Sequence, residues 1–258
     1  MKKNATTTHE TTLTANLTPR FWPSYGNEKV GGKAAGMMAI GYMPGSGVLT
    51  YNDGVPVTDC LGTCGAVDCS GCQKACYAVS MIKRYRDARN HRIENTLQLR
   101  ADINKHFDDI RAAILRDKIR VVRYTDSGEI ESYLQFMKLV NLALGLPSVR
   151  FYLYTKNYAV LREYFGRGDR FELPSNLVVL ISIWEDLGEK EFQEFRHHKN
   201  IKAFAVKPAT VKPEVMCPAY KKDPNTGRVK LNKEMTCVKC GLCTGARGGA
   251  QIIGCLEH

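Results

Sequence analysis

Between residues 119 and 206 short apolar runs alternate with longer stretches whose apolar positions recur at helical spacing. IRVVRY (119–124), RFYLYT (150–155), NLVVLISIW (176–184) and IKAFAV (201–206) read as strands. ESYLQFMKLVNLALG, Tyr158–Gly166 and Glu189–Arg196 read as the helices between and after them. Strands with little internal alternation of polarity, joined through helices, predict a parallel sheet covered by helices on both faces. The expected fold class is α/β, either a partial (β/α) barrel or an open parallel sheet. Upstream, 75–88 and 90–116 read as helices, the second carrying Ile93, Leu97, Leu99, Ile103, Phe107, Ile110 and Ile114 near helical spacing. A short strand is expected at Gly47–Tyr51. Past Pro208 the alternation stops. The chain therefore divides into a polar, Thr-rich flexible tail (1–29), an α/β core (30–207) and a C-terminal appendage (208–258).

In parallel α/β folds ligands bind beyond the carboxyl ends of the strands. Those ends are Tyr124 to Glu129, Tyr154 to Asn157, Ser182 to Glu185 and Val206 to Pro208. They are rich in polar, ionisable and aromatic groups directly after apolar runs, which points to a pocket lined by Arg123, Ser127, Glu129, Tyr154, Lys156 and Trp184. The plainer alternative is that Ser127, Asn157 and Glu185 cap the helices that follow.

Composition narrows the choice of partner. With 37 Lys and Arg against 26 Asp and Glu, the formal net charge is +11. Much of the excess lies in 79–120 (Lys83, Arg84, Arg86, Arg89, Arg92, Arg100) and in 199–239. Such a balance favours polyanions, nucleic acid among them. The alternative is a solvated basic helix face paired with Asp87, Glu94, Asp108 and Asp109. No RNP, zinc-finger or helix-turn-helix pattern is present. No run approaches the roughly 18 apolar residues that cross a bilayer, and the N-terminus lacks an apolar signal-peptide core. A cytoplasmic protein without membrane contact is expected.

Ten cysteines change the picture most. In a reducing compartment clustered thiols bind metal rather than form disulfides. Cys237-x2-Cys240-x2-Cys243, with Cys217-Pro218 upstream, has the ligand types of a bacterial ferredoxin site. Three thiolates on one turn each reach a different iron of a [4Fe–4S] cube, the fourth comes from elsewhere, and Gly241 supplies the backbone freedom the turn needs. Zinc is the rival, but it prefers two CxxC knuckles and only one is present. The N-terminal group, Cys60-x3-Cys64-x4-Cys69-x2-Cys72-x3-Cys76, holds more thiols than one cube requires.

A cysteine cluster on the loop after a first strand, ahead of a β/α core, resembles the arrangement of radical S-adenosylmethionine (SAM) enzymes. It departs from their CxxxCxxC spacing, since Val67 and Val79 stand where a third cysteine would fall. In that resemblance Ser127-Gly128-Glu129 takes the station of the turn that holds the SAM ammonium through backbone and carboxylate. Otherwise Ser127 is an N-cap with Glu129 in the first helical turn. Taken together, Cys64…Cys72-x3-Cys76-Tyr77-Ala78, Arg123…Ser127-Gly128-Glu129, Tyr154-Thr155-Lys156 and Cys217-Pro218…Cys237-x2-Cys240-x2-Cys243 resemble the phage "gene product 88" domain family over most of residues 30–258. That resemblance implies a phage or mobile-element context. It also implies Cys64, Cys72 and Cys76 as core ligands of the first site, with Cys60 and Cys69 as a fourth ligand or a second metal. Cys255 has no assigned role beyond a buried thiol.

The expectation is an iron–sulfur protein with one or two [4Fe–4S] clusters and a radical-SAM-like core. Its catalytic residues would be Glu129, Lys156 and Tyr154, its SAM contacts Ser127, Gly128, Glu129, Arg123 and Trp184, and its metal ligands Cys60, Cys64, Cys69, Cys72, Cys76, Cys217, Cys237, Cys240 and Cys243. As an enzyme it would need an electron donor such as flavodoxin or ferredoxin and a small-molecule or nucleic-acid substrate. The alternative is an iron–sulfur or zinc protein that binds nucleic acid or senses redox state and performs no SAM chemistry.

Overall fold

The computed structural model describes residues 19–25, 32–45, 49–50, 56–57, 63–64, 76–167, 172–184, 187–206, 211–232 and 234–256. Cys60, Cys69, Cys72 and Glu185 lie outside the described residues, as do residues 1–18 of the expected tail.

A seven-stranded sheet is the frame. In chain order the strands are β1 (Met37–Ala39), β2 (Leu49–Thr50), β3 (Pro56–Val57), β4 (Val121–Tyr124), β5 (Arg150–Thr155), β6 (Leu177–Trp184), β7 (Ile201–Val206), β8 (Val215–Met216), β9 (Tyr220–Lys222), β10 (Val229–Leu231) and β11 (Ile252–Cys255). The main sheet runs β1-β4-β5-β6-β7-β11-β8, with every neighbouring pair parallel. β2–β3 and β9–β10 form separate antiparallel pairs. The sheet is open rather than closed into a barrel. The helices are α1 (Tyr77–Arg84), α2 (Arg86–Ala101), α3 (Ile103–Arg116), α4 (Tyr133–Leu144), α5 (Tyr158–Phe165), α6 (Glu189–Phe195) and the short α7 (Cys237–Cys240).

From β4 to β7 each new strand is laid beside the last, always in the same direction. Right-handed crossovers repeated without a reversal place their helices on the same side of the sheet. The core follows that rule. Phe107, Ile110, Phe136, Leu139, Val160, Leu161 and Phe192 from the helices pack with Val122, Phe151, Leu153, Val179, Ile181 and Ala203 from the strands in one cluster. The alternate strand positions Val121, Tyr152, Val178, Leu180, Phe204 and Ile253 form a second cluster with Cys217, Ala219 and Cys255. Helices were expected on both faces. Instead α3 to α6 cover one face, and the segment that follows β7 covers the other. Burying each such Leu, Ile or Phe contributes about 1.5–3 kcal/mol, so the sheet is held from both sides by different material.

Three other expectations change. The helix expected over 90–116 breaks at Asp102, whose carboxylate accepts the Lys105 N–H at 2.9 Å and starts α3. Residues 19–25, expected within a flexible tail, are docked. Ser24 bridges Ala39 of β1, and Asn95 of α2 exchanges hydrogen bonds of 2.7 and 3.0 Å with the Trp22 backbone. The segment 208–258, expected as an appendage, supplies β8 and β11 to the main sheet.

Candidate functional site

The chain leaves β4 through a turn built on two left-handed residues, Thr125 (φ 55°) and Gly128 (φ 76°). Gly128 is also a close approach. A Cβ there would stand 2.4 Å from the Thr63 Oγ1 and 3.0 Å from Tyr42, so both conformation and space require glycine. Thr63 accepts the Glu129 N–H at 2.7 Å and donates to the Met43 carbonyl at 2.9 Å. This pins Cys64, its neighbour in sequence, to the turn.

Charge is concentrated and buried around this turn. Asp126 is held between two guanidinium groups, Arg92 at 3.3 Å and Arg123 at 3.1 Å, all nearly out of solvent. Arg92 also donates to the Ser127 hydroxyl, which donates in turn to the Tyr42 carbonyl at 2.8 Å. Glu129 is 5% exposed and its carboxylate is filled from inside. Thr155 Oγ1 donates at 2.7 Å, the Lys156 N–H at 2.8 Å and the Ile130 N–H at 2.9 Å. Burial pushes its pKa up, and these three donors oppose the rise. Glu129 thus ties the end of β4 to the end of β5.

The plainer alternative at this turn is corrected. Ser127 does not cap α4; Ser132 does, accepting the Gln135 N–H at 3.2 Å. Asn157 caps α5 as expected, while Gly188 rather than Glu185 begins α6.

The opposite face of the sheet carries different chemistry. Arg123, Tyr152 and Tyr154 occupy alternate positions of two neighbouring strands and share one side. The Arg123 guanidinium stacks 5.0 Å from the Tyr154 ring, which meets Tyr152 and Phe204 edge-on. The Tyr154 hydroxyl donates to the Cys243 Sγ at 3.3 Å. Burial first, then negative charge at Cys243, raise the Tyr154 pKa. The Tyr152 ring is fully buried and its hydroxyl has no hydrogen-bond partner in normal geometry among the described residues. Burial and the nearby Cys237 push its pKa well up. An unmet buried hydroxyl costs about 1–3 kcal/mol, and this one lies beside a thiol.

The thiols arrive on α7 and its neighbours. Thr236 caps α7, and Gly241 ends it in the left-handed conformation (φ 71°) expected of that turn. Cys240 is 7% exposed and Cys217 8%. Burial raises the Cys240 pKa, the Leu242 N–H bonded to its sulfur lowers it, and Cys217 and Cys237 raise it again. Cys237 and Cys243 pack against the same cluster as Cys217. Lys202 reaches this layer from β7, donating to the Leu242 carbonyl at 2.9 Å, and burial depresses its pKa against the pull of Cys243.

The structure therefore brings Arg123 and Tyr154 together with Cys217, Cys237, Cys240 and Cys243 on one face, with Trp184 at the end of β6. It gathers Ser127, Gly128, Glu129, Lys156 and Cys64 at the strand-end turn. Cys76 stands at the start of α1. Thr63, Tyr152, Lys202 and Arg92 were missed from sequence. Tyr152 alone carried a usable signal, its alternation with Tyr154 in RFYLYT. Cys255 is 2% exposed and belongs to the cluster that contains Cys217.

No disulfide joins the described cysteines. Among the described residues no group of three or more His, Cys, Asp or Glu side chains is placed to hold a metal ion. Four cysteine donors, an N–H to the Cys240 sulfur and a hydroxyl beside Cys237 are the donor types that an iron–sulfur cluster would call on. No helix among the described residues is long and apolar enough to cross a membrane. No curated protein and no solved structure matches the chain. The model of one protein family, described as Gene product 88, matches residues 17–246.

Proposed function

The chain belongs to the gene product 88 family, and from that premise, which brings a phage or mobile-element context and no reaction, we propose that it is an iron–sulfur protein. Cys217, Cys237, Cys240 and Cys243 would hold a [4Fe–4S] cluster against the sheet face that the C-terminal segment covers; when bound, such a cluster supplies single-electron transfer. The observation that carries this is the pair of tyrosine hydroxyls on β5. One donates to the Cys243 sulfur at 3.3 Å, and the other is buried beside the Cys237 thiol, with no partner in normal hydrogen-bond geometry among the described residues.

The remaining groups have roles that follow from chemistry. Arg123 and Lys202 place positive charge near the thiols and favour thiolates. Leu180 and Phe204 keep water from the sulfurs. A second cluster would use Cys64, Cys72 and Cys76, with Cys60 or Cys69 as a further ligand, beside the strand-end turn. There the Glu129 carboxylate and the Ser127 hydroxyl are engaged internally, so contact with a SAM molecule would fall to Lys156 and Trp184.

Purification without oxygen tests the proposal. Iron and acid-labile sulfide in near-equal amounts, with a brown chromophore reduced in Cys240→Ser, are expected. A colourless preparation with stoichiometric zinc overturns it. With dithionite and SAM added, 5′-deoxyadenosine marks a radical SAM enzyme; its absence marks a cluster-bearing electron-transfer or sensing protein.

A further inference from the structure

Helices α1 and α2 meet at a single residue. The extended backbone of Tyr85 (φ −117°, ψ 106°) ends one and begins the other. Its N–H donates to the Met81 carbonyl at 2.9 Å and its carbonyl accepts the Arg89 N–H at 3.1 Å. Both backbone groups of the joint are thus satisfied. The side chain is nevertheless 55% exposed, the one aromatic among the strongly exposed large side chains of the described residues.

Its neighbours are cationic. Lys83, Arg84 and Arg86 are all exposed, and none takes part in an ion pair with a described residue. Asp87 is the one acid among residues 77–92. Lys83 and Arg84 suit the C-terminal end of α1, but Arg86 opens α2, where the helix dipole opposes a cation. Core packing does not use the ring and helix electrostatics does not ask for Arg86. A ligand offering both phosphates and flat π faces accounts for both.

We propose that the α1–α2 joint is a docking surface for single-stranded nucleic acid, with a base stacked on Tyr85 and phosphates met by Lys83, Arg84 and Arg86. The net charge of +11 supplies the long-range attraction. Bases exposed for stacking belong to single strands rather than duplexes, and each stacked base adds affinity without sequence preference. A membrane or protein partner would call for an apolar patch around the ring, and its sequence neighbours here are charged. This surface does not depend on the cluster proposed above.

Fluorescence anisotropy of the full chain with a labelled deoxythymidine oligonucleotide of about 16 nucleotides, across a salt series, tests it. Tyr85→Ala should weaken binding about tenfold at unchanged salt slope, and Tyr85→Phe should bind as the parent does. Lys83→Ala, Arg84→Ala and Arg86→Ala should each lower the slope by about 0.7. All four side chains are exposed, so far-UV circular dichroism should stay unchanged. Absence of binding by the parent chain overturns the proposal. So does an affinity indifferent to Tyr85→Ala, or displacement of the oligonucleotide by polyglutamate as readily as by unlabelled oligonucleotide, either of which reduces the surface to general polyanion attraction.

Discussion

The two faces of one sheet differ in almost every physical respect. Toward the helices the strands present Val122, Phe151, Leu153, Val179 and Ile181, and aliphatic and aromatic side chains close over them. Toward the C-terminal segment they present Arg123, Tyr152, Tyr154, Lys202 and Phe204, and meet thiols, a backbone carbonyl and a short helical turn. The first face is a solvent-excluding core in which shape decides. The second buries polar groups beside thiols, and the Tyr152 hydroxyl there has no partner in normal hydrogen-bond geometry among the described residues, an arrangement that stability alone does not favour. Stability and chemistry are thus divided between the sides of one β layer.

The largest effect that would break this division is a cavity on the helix face. Phe136, fully buried on α4, packs edge-on against Tyr164. Phe136→Ala should cost about 3–5 kcal/mol in urea unfolding and, on the iron–sulfur reading proposed above, leave the iron content per folded molecule unchanged. A parallel loss of iron would show that the faces are not independent.

A second test uses a histidine set within the helix face. His106 is fully buried between the Tyr42 hydroxyl at 2.9 Å and the Gln98 side-chain oxygen at 2.8 Å, with Phe21 and Phe107 edge-on. Burial lowers its pKa from 6.5 to about 4, against a weaker upward pull from Asp109. The unfolded chain therefore binds this proton more readily than the folded one. Stability is fully present above pH 6.5 and declines as the pH falls toward about 4, by about 3 kcal/mol in all. In His106→Gln this share of the pH dependence of unfolding should vanish.

The smallest effect in stability comes from the thiol face. Tyr154→Phe removes one hydrogen bond to Cys243 and should cost about 1 kcal/mol. If the cluster is present, the same change should lower its reduction potential, because a sulfur without its donor holds negative charge less well. A stability loss as large as that of Phe136→Ala would mean that the tyrosines are core residues first.

Much of the helix face was legible from residue pattern. RFYLYT and IKAFAV became β5 and β7 over the same residues, because an apolar run flanked by helical periodicity leaves few alternatives. The break at Asp102 was hidden, since apolar spacing continues across it from Leu99 to Ile103. One-sided helix cover was also hidden, as it depends on strand order and not on any single segment. The thiol face was half legible. Cysteine spacing named the ligands and Gly241 the turn, but nothing in Val215–Met216 or Ile252–Cys255 announces strands. Two- and four-residue strands take their conformation from neighbours distant in sequence. At the other site, Ser127 and Glu129 looked equally suited to capping and to ligand binding. The donors that engage them, Arg92 and Thr155, come from elements too far along the chain to be inferred.

β11 lies between β7 and β8, although β8 precedes it in the chain. The chain must therefore leave a gap when it passes Val215 and fill it only after Cys237, Cys240 and Cys243 have gone by. Among the described strands β8 pairs with β11 alone, so the strand that leads into Cys217 joins the sheet through Ile252–Cys255. Closing that gap works like the last stave of a cask. It fixes Cys217 relative to Cys237, Cys240 and Cys243, which lie on the stretch of chain between the two strands it joins.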